Sequence, residues 1–95
     1  MKTYFVYIIT NKPQGTLYIG VTNNLERRIL EHKQKIIKGF AARYNLDRWV
    51  YFEDFAYVTE AVACEKRLKG WTRNRKVELI EVRNAAWEDL SVKWF

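Results

Sequence analysis

The sequence predicts an α+β fold: a small three-stranded, mainly antiparallel sheet flanked by helices, in the order β-β-α-β-α-α. Two short runs of β-branched and aromatic residues, 6–10 and 16–20, flank a loop that contains Asn, Pro and Gly. A third such run covers residues 48–55, and the remaining segments repeat apolar residues at helical spacing. With 95 residues, the chain is expected to form a single domain, 1–95.

The first two runs are expected to pair as a β-hairpin around the loop at 11–15. Each strand carries one tyrosine, Tyr7 and Tyr18, and the second is followed by Ile19 and Gly20. If the position numbers of the tyrosines pair directly across the ladder, both side chains point to one side of the sheet. A shift of one residue puts them on opposite sides. Both registers remain open at the level of the sequence.

A first helix is expected to start at an N-cap, Asn23 or Asn24, and to run through about Lys38. Arg28 precedes a histidine by four residues, so the two side chains are neighbours on the helix surface. At about 100° per residue, one stripe of this helix forms the expected core face. That stripe consists of Leu25, Ile29, His32 and Ile36.

A second helix is expected from Thr59, and Gly70 is expected to interrupt it before a basic segment at 72–76. Its apolar side contains Ala61, Cys64, Leu68 and Trp71. A last amphipathic segment is predicted from Val77, Leu79, Ile80 and Val82. Asn84 begins an irregular tail, and four large apolar residues in it are expected to lie back on the body: Trp87, Leu90, Trp94 and Phe95.

The composition favours a polyanionic partner. The chain has 17 Lys+Arg against 11 Asp+Glu, a formal net charge of +6, which favours nucleic acid but also suits an ordinary basic protein. Cys64 is the single cysteine and cannot form an internal disulfide, and no Cys/His cluster has zinc spacing. No signal-peptide core and no apolar run of membrane-spanning length is visible. We therefore expect a cytoplasmic protein without a membrane partner.

Five short motifs follow one another along the chain. They are Phe-Val-Tyr at 5–7, Tyr-Ile-Gly at 18–20, an Arg/His-bearing helix at 25–32, a glutamate-bearing helix at 63–71, and Asn-Ala-Ala-Trp at 84–87. In this order and spacing the sequence resembles the GIY-YIG nuclease superfamily over essentially its whole length. The similarity is to small stand-alone, UPF0213-like members related to the N-terminal domain of the UvrC excision-repair subunit. Two departures stand out: phenylalanine replaces the first glycine of the pattern, and alanine replaces the proline of Asn-Pro-x-Trp.

The resemblance implies hydrolysis of a phosphodiester bond assisted by one divalent cation, Mg²⁺ or Mn²⁺. Glu65 would be the metal ligand, since Mg²⁺ is often held by one carboxylate together with water molecules. Arg28 would stabilise the charge of the transition state, for which its planar guanidinium is well suited. By the same resemblance, these two residues belong to the catalytic set.

Four further residues complete the catalytic set implied by the resemblance. Tyr7 would be the general base on the attacking water, which requires nearby positive charge because a free phenol has a pKa of about 10. Tyr18 would orient the water or a phosphate oxygen, and His32 could relay the proton from the base. Asn84 would brace the network.

Each of these residues also has a purely structural interpretation. His32 lies on the apolar stripe and could simply be packed there, and Arg28 could be a surface charge paired with Glu31 or Glu26. For the remaining residues the structural interpretations are sheet packing for the tyrosines, a cap or turn for Asn84, and an ion pair with Lys69 for Glu65.

The expected substrate is DNA, cleaved with low sequence specificity in repair or processing, although RNA, protein partners and the oligomeric state stay open. Basic residues outside the site would hold the backbone without reading its sequence: Lys33, Lys35, Lys38, Arg43, Arg73, Arg75 and Lys76. One alternative is a nucleic-acid-binding module of the same fold with weak or no catalysis. Another is a protein-interaction domain that uses Tyr44, Trp94 and Phe95.

Overall fold

The computed structural model describes residues 2–34, 39 and 43–94. Their elements are β1 (Tyr4–Thr10), β2 (Leu17–Thr22), α1 (Leu25–Lys33), β3 (Arg48–Phe55), α2 (Val58–Lys69), α3 (Arg73–Arg83) and a short 3-10 helix (Leu90–Trp94). The predicted α+β class and the order β-β-α-β-α-α are confirmed over these ranges. Within them, no helix combines the length and the apolar character that crossing a membrane requires.

The three strands form one antiparallel sheet in the order β2-β1-β3. In the hairpin, Tyr7 pairs with Gly20 and Ile9 pairs with Tyr18. Residues that pair across a ladder point to the same side, as do residues two apart along a strand. Tyr7 and Tyr18 therefore lie on one face of the sheet, which is one of the two arrangements that the sequence left open.

A β-bulge interrupts the pairing of β1 with β3. Ile8 pairs with Tyr51 but Ile9 pairs with Trp49, so Val50 is the extra residue on β3. Because of this bulge, Val50 and Tyr51 both contribute to the core on one side of the sheet, whereas Trp49 contributes to the core on the other. The bulge thus turns the large indole of Trp49 toward the face that carries both tyrosines.

The sheet separates two apolar cores. The core on the tyrosine face contains Tyr7, Ile9, Leu25, Ile29, Leu46 and Trp49. The opposite core is closed by α2 and α3, and its buried residues include Val6, Ile8, Ile19, Ala61, Cys64, Leu68, Ile80 and Trp87. The predicted apolar stripe of α1 is confirmed at its first three positions. Ile36, the fourth, lies outside the described residues.

Most predicted helix boundaries are confirmed. The Asn24 side chain caps α1 by accepting a hydrogen bond from the Arg27 backbone N–H at 3.0 Å, while the end predicted near Lys38 falls outside the described residues. Helix α2 begins at Val58, one residue before the predicted Thr59, and Gly70 follows its last residue; Thr72 caps α3. One placement was wrong: Val82 is 83% exposed, because it is two residues, or about 200°, away from the buried Ile80.

The chain after α3 lies along the outer edge of β3, at the bulge. The Asn84 side-chain amide donates to the Val50 carbonyl at 3.2 Å, and the Trp49 backbone N–H donates to the Asp89 carboxylate at 3.1 Å. The Arg48 guanidinium donates to the Trp87 carbonyl at 3.1 Å. The prediction that the tail folds back is confirmed for the buried Trp87, whereas Phe95 and the side chain of Trp94 fall outside the description.

Candidate active site

Gly20 makes room for the first tyrosine. Tyr7 is only 2% exposed, and its ring lies directly over the Cα of its cross-strand partner Gly20. A Cβ atom at position 20 would come within 2.4 Å of the Tyr7 hydroxyl oxygen and 2.5 Å of its Cζ. The glycine of Tyr-Ile-Gly is therefore needed for close approach, a role that follows from the register and was not visible in the sequence.

His32 lies close to both tyrosines. Its ring centroid is 6.1 Å from that of Tyr7, in an edge-on arrangement, and 6.4 Å from that of Tyr18. Trp49 completes the cluster at 4.3 Å from Tyr7 and 5.8 Å from His32. Three residues of the predicted catalytic set are thus brought together. The sequence predicted Trp49 only as a strand residue, because its orientation depends on a β-bulge that the sequence does not predict.

Burial dominates the acidity of Tyr7. It raises the pKa of the phenol above its ordinary value, and the neighbouring Tyr18, Glu65 and Glu31 act in the same direction, whereas the positive charge of Arg28 opposes them. Arg28 therefore has the expected sign, but it does not make Tyr7 more acidic overall. In the protein alone, Tyr7 carries its proton at neutral pH. The fields of Arg28 and Glu65 nevertheless reach the phenol, which joins both predicted residues to the cluster electrostatically.

His32 is neutral near pH 7. Burial lowers its pKa below the ordinary value, and the positive charge of Arg28 lowers it further. A neutral imidazole has one nitrogen that donates and one that accepts a hydrogen bond. His32 is 6% exposed, so the packed histidine of the structural interpretation is present. Its neutral state also leaves it able to accept a proton.

Arg28 is loosely held beside the cluster. Its Nε lies 3.7 Å from a carboxylate oxygen of Glu31, which is too long for a hydrogen bond. Among the residues that the structure describes, no acceptor bonds this buried Nε. The structural alternative is therefore present as a weak ion pair with Glu31, and a guanidinium held this weakly can turn toward an anion.

Glu65 is the acidic member of the site. Its side chain is 17% exposed, and Lys69 Nζ lies 3.4 Å from its Oε2, which is the ion pair foreseen as the structural alternative. In the described part of the chain, no group of three or more His, Cys, Asp or Glu side chains could hold a metal ion. A lone carboxylate still suits Mg²⁺, which keeps several water ligands and takes others from substrate phosphates. Glu65 would hold such an ion as its single protein ligand.

The Asn84 side chain forms hydrogen bonds with backbone groups. Its amide group donates to the carbonyls of Val50 and Glu88 at 3.2 Å and 2.9 Å, and its carbonyl oxygen accepts from the Glu88 N–H at 2.9 Å. The side chain is thus occupied in fixing the C-terminal turn against β3. Any contribution of Asn84 to catalysis would act through Val50, the neighbour of Trp49.

The predicted nucleic-acid contacts divide into two groups. Lys33 and Arg73 have partners within the protein: Lys33 bonds the Asp89 carboxylate, and the Arg73 guanidinium donates to two carbonyls of the β1–β2 loop at 2.8 Å each. The other described members are Arg43, Arg75 and Lys76. The Arg43 guanidinium lies above the ring of Tyr44, the Arg75 guanidinium lies above the ring of Trp71, and Lys76 is half-buried. Lys35 and Lys38 lie outside the described residues.

A separate cleft of about 750 Å³ runs along β3 from the bulge residue Val50 to Asp54. Its lining includes Glu53, Asp54 and Arg83 but no predicted catalytic residue. The Tyr51 hydroxyl donates to Glu53 at 2.5 Å next to it, and burial, followed by this hydrogen bond, raises the pKa of Tyr51. Because a phosphate chain would meet two carboxylates there, the cleft is a poor place for the chemistry of the cluster.

Comparison with known proteins identifies the class. Residues 3–78 match the model of the GIY-YIG catalytic domain. The chain is 39% identical over 89 residues to a UPF0213 protein of Clostridium perfringens, with 90% of each chain covered. It is 36% identical over 87 residues to one of Staphylococcus haemolyticus, covering 87% of this chain and 100% of the other. The chain therefore belongs to the GIY-YIG nuclease family.

Within this family the chain is similar to the small stand-alone UPF0213 proteins. The solution NMR structure of a UPF0213 protein from Bacillus halodurans superposes with a TM-score of 0.58 at 25% sequence identity, covering 92% of both chains. The sequence resemblance is thus confirmed at the level of family and fold. GIY-YIG nucleases typically depend on a divalent metal and act on nucleic acid.

Proposed function

We propose that this protein is a metal-dependent endonuclease that hydrolyses phosphodiester bonds in DNA with low sequence specificity, in repair or processing. The observation that carries the proposal is the cluster around Tyr7, in which Tyr18 and His32 surround a phenol that Arg28 and Glu65 reach electrostatically. Family membership supports the reaction class. The net charge of +6 supports a polyanionic substrate.

The residues divide the work as follows. Arg28 binds a non-bridging phosphate oxygen and stabilises the charge that develops on it. Tyr7, which is protonated in the free protein, gives its hydroxyl proton to the neutral His32 as it takes a proton from the attacking water, while the water oxygen bonds to phosphorus and the leaving oxygen departs with the electron pair. A divalent cation held by Glu65 would polarise the phosphoryl oxygen as a Lewis acid. Tyr18 orients the water, and the neutral His32 accepts the proton from Tyr7.

Cleavage of supercoiled, branched and flapped DNA in Mg²⁺ or Mn²⁺ tests the proposal. Glu65→Gln removes the charge that would hold the metal, and Arg28→Ala removes transition-state stabilisation, so each should slow cutting by about a hundred- to a thousandfold. The matched control is Glu60→Gln, an acid in the first turn of the same helix, and it should cut like the wild type. Cutting that persists in Glu65→Gln would reveal a contaminant, and no cutting by the wild type would refute the endonuclease.

A DNA-binding module without catalysis is the second candidate. Two observations favour it: burial raises the pKa of Tyr7, and Lys69 already neutralises Glu65. Binding by such a module would be the same with and without Mg²⁺ and in Glu65→Gln. The same DNA substrates, measured for binding alone, separate the two functions.

The salt dependence of DNA binding should identify the basic residues that meet phosphate. For duplex DNA the slope of log K against log salt changes by about 0.9 for each neutralised phosphate. Arg43→Gln, at an exposed position, should reduce the slope by about one contact, whereas Arg73→Gln should hardly change it, since Arg73 is bonded to the β1–β2 loop. Fluorescence anisotropy between 50 and 200 mM salt measures both. A flat response of the wild type would contradict phosphate binding altogether.

A further inference from the structure

The turn between α2 and α3 is rich in basic residues on both sides of one tryptophan. Within residues 66–76, which we call the α2–α3 corner, six basic residues precede or follow Trp71 along the chain: Lys66, Arg67, Lys69, Arg73, Arg75 and Lys76. Five of them are exposed, and Lys76 is half-buried. The corner therefore presents a concentrated positive surface on the side of the sheet opposite α1.

Trp71 and Arg75 form a stacked pair at this corner. The Arg75 guanidinium carbon lies 4.1 Å from the centroid of the half-buried Trp71 ring, well within the range of a cation–π contact. Trp71 also packs against the core closed by α2 and α3, which fixes its position. The pair thus holds an exposed, planar cation on a rigid aromatic support.

An open concavity adjoins this pair. It has a volume of about 240 Å³ and is lined by Trp71, Arg75, Glu78, Leu79 and Val82. Val82 is almost fully exposed, so the concavity has an apolar wall beside a planar cation. Glu78 repels phosphate at this end, and the lysines and arginines of the corner attract it at the other. A nucleotide would therefore place its base in the concavity and its phosphate toward α2.

We infer that the α2–α3 corner binds an unpaired nucleotide of the substrate, whose base stacks on the Arg75 guanidinium that Trp71 supports. Arginine planes and aromatic rings are the groups on which proteins stack unpaired bases. Paired bases inside a duplex do not offer a free face for this contact. The corner thus selects DNA that carries a single-stranded arm, and the inference rests on the proposed function because it describes the substrate of that site.

The corner is close enough to the candidate active site to act on the same strand. Glu65 lies four residues, or about 6 Å along the helix axis, before Lys69 at the end of α2, and Trp71 follows Lys69 by two residues. Lys69, one of the cations of the corner, is also the ion-pair partner of Glu65. A strand whose phosphate lies at Glu65 would thus place a base at the corner within about three nucleotides, at 3.4 Å per stacked nucleotide.

Binding in EDTA, without cleavage, tests the inference separately from the nuclease activity. Two DNAs are compared by anisotropy, a blunt duplex and the same duplex with a single-stranded arm. The wild type should prefer the armed DNA by about tenfold. Arg75→Lys retains the charge but loses the planar surface, so it should bind the blunt duplex normally and lose the preference. The matched control is Arg83→Lys, at the other end of α3 and above the ring of Tyr51, and it should keep the preference.

A 2-aminopurine in the arm provides a readout that charge alone would not change, since its fluorescence falls when the base stacks. The quenching should be present in the wild type and in Arg83→Lys, and absent in Arg75→Lys. Equal affinity of the wild type for both DNAs, or an unchanged preference in Arg75→Lys, would overturn the inference. Neither result bears on cleavage at Glu65, and loss of cleavage in the Glu65 experiment would leave the arm preference measurable.

Discussion

Replacing Gly20 with alanine is expected to slow DNA cleavage by about a hundredfold or more while the protein stays folded. The new Cβ would lie 2.4 Å from the Tyr7 hydroxyl, whereas ordinary contact begins at 3.4 Å, so the phenol must move by about 1 Å. A displacement of this size at a reacting group is enough for such a loss. Overpacking should also lower the free energy of unfolding by about 1–3 kcal/mol.

Gly70→Ala is the matched control for this substitution. Gly70 has a φ of −81°, and the nearest atoms to an added Cβ are carbonyl oxygens at 3.5 Å and 3.7 Å. It should therefore leave cleavage unchanged and raise the free energy of unfolding by about 0.4–1 kcal/mol, because alanine restricts the unfolded chain. Urea unfolding and cleavage rates, measured on both variants, decide the question. A Gly20→Ala protein that unfolds and cleaves like the wild type would show that the Tyr7 phenol is not confined by Gly20.

Replacing Asp89 with asparagine is expected to lower the free energy of unfolding by about 2 kcal/mol. One carboxylate oxygen accepts from the Trp49 N–H and from the backbone and hydroxyl of Ser91, and the other binds Lys33. An asparagine would have to turn its NH₂ group toward one of these donors, which leaves polar groups without partners. The corresponding fall in Tm is about 10 °C for a domain of this size.

The effect of this substitution should depend on pH. Burial acts to raise the pKa of Asp89, but hydrogen bonds from Lys33, Ser91 and the Trp49 backbone outweigh it and hold the pKa below its ordinary value. A carboxyl group with a depressed folded pKa stabilises the protein above its unfolded pKa, and this contribution disappears as the pH falls through the folded value. The difference between wild type and Asp89→Asn should thus be constant from about pH 5 to 8 and shrink below about pH 4.

Urea unfolding over this pH range provides the measurement, with Asp54→Asn as the matched control. Asp54 is an exposed aspartate on β3, so its replacement should change the unfolding free energy by less than about 0.5 kcal/mol. Equal stabilities of wild type and Asp89→Asn at neutral pH would contradict the role assigned to the carboxylate.

Local patterns in the sequence were sufficient for most elements of the fold. The alternation of β-branched and aromatic residues predicted β3 at Arg48–Phe55, as observed, and Gly70 and Thr72 marked the boundary between α2 and α3. Capping and periodicity act over a few residues and can therefore be read directly. For the same reason the apolar stripe of α1 was predictable as far as His32.

The geometry of the site depended on long-range pairing that no local pattern encodes. The register that puts Tyr7 over Gly20, and the bulge that turns Trp49 toward Tyr7, follow from contacts between separate strands. The motif order suggested Asn84 as a brace of the network but not its partners, which are backbone groups of β3 and of the C-terminal turn. Likewise, the charge of Arg73 predicted a phosphate contact, although the nearest acceptors are carbonyls of the hairpin loop.

The C-terminal segment along β3 has a practical consequence for work on isolated fragments. The family match ends at residue 78, but Asn84 and Asp89, which fasten the bulge beside Trp49, lie beyond it. A fragment trimmed to the matched boundary would expose the edge of β3, and uncovered strand edges pair readily with other chains. Such a fragment should aggregate, and an inactive preparation of it would say nothing about the catalytic competence of the intact chain.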